Sequence, residues 1–299
     1  MKRKFILLLF LIPLMLPAKS IKVMLLTGQT DKFHCWKVTS LHLKAILDYY
    51  EIFETDVVLI PQEREALENF SPVFSDYDVL VLNQNCTYWP EHTQQAFVEY
   101  VSNGGGVVIV HEANNAFPNW KEYNQICGLG GWRGRNETSG PYYYWKDGKY
   151  VRDSVQGKAG AHGARVPFVI NIRAKKHPIT KGLPEKWLHQ NDELYGNLRG
   201  PAENIHVLAT AYSDEASKGT GKEELVLFTV SYGKGRIFHT VLGHTSDKFS
   251  DSLQDVGFQV TFSRGTEWAA TGKVKQKKTK EFPTETEVLL RDLTKIKAP

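Results

Sequence analysis

"GGGVVIVHEANN", residues 104–115, decides the fold. A glycine-led run of small apolar residues reads as a buried strand. It breaks off at His111 and Glu112, where the chain is expected to turn into a helix. In several α/β enzymes that turn carries a Ser or Cys nucleophile, and here it carries an imidazole. The three glycines sit before the strand and after a helix-patterned stretch, "PEHTQQAFVEYVSN" (90–103), so they end a helix. A phosphate cradle has the opposite order, leaving a strand and entering a helix. "YGKGR" (232–236) is no phosphate loop either. It separates "LVLFTVS" from "IFHTVLG" and reads as a hairpin turn.

Upstream of the deciding strand the chain alternates. "IKVMLLT" (21–27), "FETDVVLI" (53–60) and "YDVLVLN" (77–83) are β-rich, and "KVTSLHLKAILDYY" (37–50) has Val38, Leu41, Ala45 and Ile46 at helical spacing. This rhythm predicts an α/β fold with a doubly wound, mostly parallel sheet covered on both faces. From 112 to 165 the rhythm gives way to a long irregular insertion rich in Gly, Trp, Tyr and Arg, of the kind that usually forms functional loops. "VPFVINI" (166–172) and "VLATAYS" (207–213) resume as strands, and a late β-hairpin closes the sheet. "SLQDVGFQVTFSRGTEWAATG" (252–272) is the last helix, so the domain is expected over 21–272, followed by a basic tail over 273–299 with a short amphipathic helix near "TEVLLRDLTKI".

The first twenty residues differ from the rest. "MKRK" is a basic start, "FILLLFLIPLML" an apolar run short for a bilayer, and "PAKS" offers small residues for cleavage near Ala18–Ser20. Residues 1–20 therefore read as a signal peptide, and the expected location is periplasmic or secreted. No Cys follows to take a lipid anchor, and no later segment is long and apolar enough to span a membrane. The net charge of +4 is too small to argue for nucleic acid, and much of the excess lies in "GKVKQKKTK" (272–280), a solvated stretch. Cys35, Cys86 and Cys127 are too few for a disulfide framework and read as free thiols. The sequence does not specify an oligomeric state.

Parallel α/β sheets carry their sites at the carboxyl ends of the strands. After the first strand come Gln29, His34 and Trp36; after the third, Asn83, Asn85 and Trp89; after the fourth, His111, Glu112 and Asn114; after the hairpin, His244. Histidine recurs at strand ends, and that clustering is the chief sign of a site. His162, in "GAHGAR", lies on the insertion beside glycines that allow close backbone approach. "NDELY" (191–195) puts Asp192 and Glu193 beside the sheet, with exposed charge as the rival reading. His42, His92 and His206 stand without company, His177 suits a turn, and His239, inside a strand, fits a core or a site equally.

At "LLTGQ", "GGGVVIVHEA", "HPITKGLP", "NDELY", "VLATAY", "YGKGRIFHTVLGH" and "GTEWAATG" the chain resembles the trehalose-utilisation (ThuA-like) family, in family order over about residues 21–272. The fold of that family is similar to class I glutamine amidotransferases. In those enzymes the sharp turn holds a cysteine, served by a histidine from a later strand end. Here His111 holds the turn, and His244 stands where the partner would be. The resemblance thus implies a kept elbow without its thiol, and glutaminase chemistry needs a thiolate. Cys35 and Cys127 are off the elbow.

Converging histidines with a carboxylate can hold a divalent metal, zinc foremost, or carry out metal-free acid–base work. The expected catalytic residues are His111, His244 and Glu193, and the expected metal ligands His111, His162 and His244. Gln29, His34, Trp36, Asn85, Glu112, Asn114, Trp132 and Tyr195 are the expected substrate-binding set, and no nucleotide cofactor is expected. Trp132, Tyr142, Tyr143, Tyr144 and Trp145 suit either a sugar face or a small satellite core. The family association implies an exported enzyme acting on a sugar, disaccharide or keto-sugar by hydrolysis, elimination or isomerisation. The alternative is a non-catalytic carbohydrate-binding or regulatory protein on the same fold.

Overall fold

Strand β1 (Ile21–Thr27) buries every side chain from Val23 to Thr27. A strand covered on both faces needs this continuous apolar run, and each fully buried Val or Leu contributes about 1.5–3 kcal/mol. The computed structural model describes residues 20–276 and 281–295. After β1 come α1 (Trp36–Tyr49), β2 (Phe53–Leu59), α2 (Arg64–Glu68), β3 (Val79–Leu82), α3 (Glu91–Ser102) and β4 (Gly106–Val110). The insertion contributes α4 (Lys121–Cys127) and a hairpin of β5 (Tyr142–Lys146) and β6 (Lys149–Asp153). Then follow β7 (Val166–Ile172), β8 (Lys186–Asp192), β9 (Ile205–Tyr212), β10 (Glu223–Tyr232), β11 (Gly235–Thr240), α5 (Asp251–Gln254) and α6 (Val256–Thr271).

One sheet runs in the order β2-β1-β3-β4-β11-β10-β9-β7-β8, with β5 and β6 attached to β10. From β2 to β11 all pairings are parallel, whereas β10, β9, β7 and β8 pair antiparallel, as does the β5–β6 hairpin. The expectation of a mostly parallel sheet is therefore corrected: the sheet is mixed, and more of its pairings are antiparallel. The reason lies in the connections. The link 213–222 between β9 and β10 is too short for the crossover helix that parallel neighbours require.

Three further expectations change. His111–Asn115 is a 3-10 turn, and the next α-helix begins only at Lys121. The helix expected near 286–296 is absent among the described residues: the chain bends at 285–286, bridges Asp255 at Leu290, and ends in a 3-10 turn at Leu293–Lys295 with Leu293 buried. The single helix expected over 252–272 is two, broken at Asp255, whose carboxylate accepts from the Phe258 amide and caps α6. The three cysteines are free. The predicted signal peptide, apart from Ser20, lies outside the described residues, as do 277–280 of the basic tail. No helix among the described residues is long and apolar enough to cross a membrane.

Candidate active site

β4 and β11 are parallel neighbours, Val110 opposite Thr240, so their carboxyl ends share one edge of the sheet. His111 leaves the first and His244 follows the second. β1, one strand beyond β3, sends the loop with His34 to the same edge. That loop turns at Gly28, whose φ is +116°; a Cβ there would lie 2.9 Å from the Ile60 carbonyl oxygen. β8 ends at Asp192 and delivers Glu193 from the far side.

The three imidazoles form a near-equilateral triangle, with ring centres 5.2 Å (His34–His111), 5.0 Å (His34–His244) and 5.4 Å (His111–His244) apart. One ligand-type atom each from His34, His111, His244 and Glu193 lies within 4.8 Å of the others. The Glu193 carboxylate is 3.3 Å from His244 Nδ1 and 3.9 Å from His162 Nε2. His162 thus borders the group without joining it, and its Nδ1 faces the Gly163 carbonyl at 2.9 Å.

His111 sits at φ +42°, a left-handed conformation costing a non-glycine residue about 1–2 kcal/mol. Its Nδ1 donates to the Val241 carbonyl at 2.6 Å. A carbonyl only accepts, so Nδ1 carries the proton and Nε2 keeps its lone pair. Nε2 is buried and has no partner, whereas His244 Nδ1, also buried, makes no hydrogen bond and has the Glu193 carboxylate 3.3 Å away. His34 is held by Asp31 at 2.8 Å through Nδ1 and meets the Tyr195 hydroxyl at 3.1 Å through Nε2. The Tyr195 ring lies against His111, centres 4.1 Å apart. Glu112 is buried, accepts from the Thr30 hydroxyl at 2.7 and 2.6 Å, and lies 3.3 Å from His34 Nδ1.

These surroundings sort the charges. Burial, aided by the neighbouring His34, holds His111 well below the usual imidazole range and His244 down to about 3, so both stay neutral. Burial also opposes charge on His34, but the Asp31 hydrogen bond and the carboxylates of Glu112, Asp31 and Glu193 outweigh it and raise its pKa. Burial lifts Glu112 to about 7 and raises Glu193, against the pull of the nearby histidines. The site therefore offers two neutral imidazoles, His111 with an open lone pair on Nε2 and His244 beside the Glu193 carboxylate, a third imidazole anchored to a carboxylate, and an acid poised to exchange a proton.

The adjoining cavity, about 660 Å³, is lined in part by Asp31, His34, Trp132, His162, Glu193 and Tyr195. Asn85 and Asn115 also reach it. Three expected binding residues point elsewhere. Asn114 donates to His239 at 3.2 Å in the core, the Gln29 amide binds the Pro61 carbonyl, and Trp36 lines a separate groove along α1. His239 is a core residue, with its Nδ1 donating to the Cys127 carbonyl at 2.9 Å. Tyr142 and Tyr143 are buried on β5, so of the insertion aromatics only Trp132 reaches the cavity among the described residues. Asp192 is fully buried, against the exposed-charge reading: it accepts from the Gly243 and His244 amides and from His189.

Asp31, Asn115 and Arg133 escaped the sequence reading. Asp31, three residues before His34, had a usable signal in that spacing; the other two had none.

The family model described as ThuA, trehalose utilisation, matches residues 22–269. A protein from Parabacteroides merdae described as ThuA-like is 51% identical, covers 93% of this chain and 100% of its own, and superposes with a TM-score of 0.89. A second, from Bacteroides uniformis, is 16% identical with a TM-score of 0.54, covering 88% of this chain and 97% of its own, and shares the fold. Curated proteins give no match.

Proposed function

Because the chain belongs to the ThuA trehalose-utilisation family, we propose that it is a carbohydrate-processing enzyme working by acid–base chemistry beside His34, His111, Glu193 and His244. Its cofactor in this reading is a divalent metal, zinc foremost. One observation carries the proposal: His111 has one nitrogen fixed by a backbone carbonyl and the other buried without a partner, facing two more imidazoles and a carboxylate. Metal-bound histidines are oriented in this way, through a carbonyl or carboxylate on the second nitrogen. His34 has the same support from Asp31. The imidazoles of His34, His111 and His244 thus fit a three-nitrogen set, with the Glu193 carboxylate beside it for proton transfer.

A bound zinc would supply Lewis acidity, polarising a sugar carbonyl or acidifying water. The protein's own groups do the rest. Asp31 keeps the His34 ring in register. Glu193, facing the cavity, moves the proton: on or off a sugar carbon in elimination or isomerisation, from the attacking water or to the leaving oxygen in hydrolysis. Trp132 and Tyr195 offer ring faces to sugar C–H surfaces, and Asp31 and Asn85 offer polar atoms to hydroxyls. The apolar leader at 1–20 supports export.

Elemental analysis of the purified protein, followed by a screen of oxidised disaccharides, tests the reading. About one metal per chain, with turnover that chelation abolishes, is expected. Sugar binding with neither metal nor turnover would leave a binding protein instead. Intact mass from the native host should show the leader removed near Ala18–Ser20, and a species retaining Met1 would overturn export.

A further inference from the structure

Arg133 lies between two cavities. It lines the 660 Å³ cavity beside the histidines and also a second, polar chamber of about 490 Å³. The second chamber includes Asn119, Gln125, Thr138, Ser139 and Glu203. Asn119 is exposed and Gln125 and Ser139 are half-buried, so their amides and hydroxyl can be reached from the chamber.

The divider is built firmly. Trp132, Arg133 and Gly134 all have left-handed φ, at +50°, +48° and +81°. The tongue is pinned on one side by the Trp132 amide donating to the Ala159 carbonyl at 3.0 Å. On the other, the buried Arg135 guanidinium donates to the carbonyls of Asn115, Gly131 and Ala116 and to the Asn124 side chain. This anchoring turns Trp132 toward Tyr195, ring centres 4.5 Å apart. It leaves Arg133 at the boundary, with Nε on the Asn85 side-chain oxygen at 2.7 Å and Nη2 on its carbonyl at 3.0 Å. On the near side, Asn115 Oδ1 is buried in the cavity wall without a partner, an acceptor placed for a ligand hydroxyl.

We propose that Arg133 divides a two-chamber sugar site. The histidine-lined cavity takes the reacting unit, and the amide- and hydroxyl-lined chamber takes the next unit of a disaccharide or longer glycoside. The proposal rests on the carbohydrate reading above and adds where the substrate extends. Arg133 becomes the specificity-determining residue, since it touches both units while the histidines touch one.

Calorimetric titration of the full-length mature protein with glucose, trehalose and maltotriose tests it. The native protein should bind the longer sugars at least about tenfold more tightly than glucose. Arg133→Ala and the double variant Asn119→Ala/Ser139→Ala should each lose most of that increment, read as the ratio of Kd values within one variant. The double variant changes only an exposed and a half-buried side chain, so it stays informative if Arg133→Ala fails to fold. Equal affinity for all three sugars, or an increment untouched by the double variant, would overturn the two-chamber site and leave the carbohydrate reading standing. No binding of any sugar to metal-loaded protein would overturn both.

Discussion

His111 and His239 are both buried and close along the sheet: His239, in β11, pairs with Ile109 of β4, two residues before His111 just past that strand's end. They differ in what their nitrogens find. His239 has both satisfied, one donating to the Cys127 carbonyl and the other accepting from Asn114. His111 has one satisfied and one left open beside two more imidazoles. Burial alone does not make a site histidine, because burial lowers the pKa of both. The unmet hydrogen-bonding capacity does, since a buried polar atom without a partner costs about 1–3 kcal/mol and persists where something else is to bind.

The largest break in this contrast is expected from His111→Ala. Activity should fall at least about 100-fold and bound metal should be lost, while the circular dichroism spectrum stays native. Alanine keeps a Cβ at the same left-handed φ, so the backbone strain is common to both proteins. Unfolding of the variant in place of inactivation would make His111 structural.

Next comes a third buried histidine, His189, set between Asp192 at 3.0 Å and Asp255 at 3.2 Å. Burial opposes its charge, but the two carboxylates outweigh that and raise its pKa to about 9. His189→Ala leaves two buried carboxylates without their cation, and urea unfolding should show a loss of about 3–5 kcal/mol. The native group also sets a pH dependence. With its pKa raised on folding, its stabilisation is complete below about pH 6.5 and declines as pH rises through about 9. Thermal melts from pH 6 to 10 should therefore show a falling Tm that His189→Gln lacks.

His239→Ala sharpens the contrast from the core side. It should cost about 2–3 kcal/mol through the unpaired Asn114 amide and Cys127 carbonyl, with metal content intact. The smallest expected effect is none: glutamine hydrolysis should be undetectable, with or without Cys35→Ala and Cys127→Ala. Cys127 is buried with its thiol pKa raised to about 12, so it is no thiolate.

The parallel half of the sheet was legible because its strands are continuous apolar runs and its helices have a clear period. β8 was not. Its buried positions are Trp187, His189 and Asp192, a half-polar face that hydrophobic patterning misses. The meeting of His111 and His244 at one edge follows from strand-end position, which the sequence exposes. Glu193 entered through its motif, and its nearness to His244 rests on the antiparallel half, whose strand order is not written in residue spacing. Asn115 and Arg133 depend on how the insertion folds back, where close approaches at glycines and left-handed turns replace any periodic signal. Asn114 was misplaced because in a 3-10 turn consecutive side chains fan out, and this one turns toward His239.

The Asp192–His189–Asp255 chain joins three places: the amides of Gly243 and His244, the end of β8 and the cap of α6. No opening of the His244 loop can leave that carboxylate behind without exposing a buried ion. The two amides are therefore tied to the last helix as one exchange unit. Their protons should trade with deuterium on the timescale of α6 detaching, so the edge that holds the histidine cluster is also among the slowest parts of the molecule to breathe.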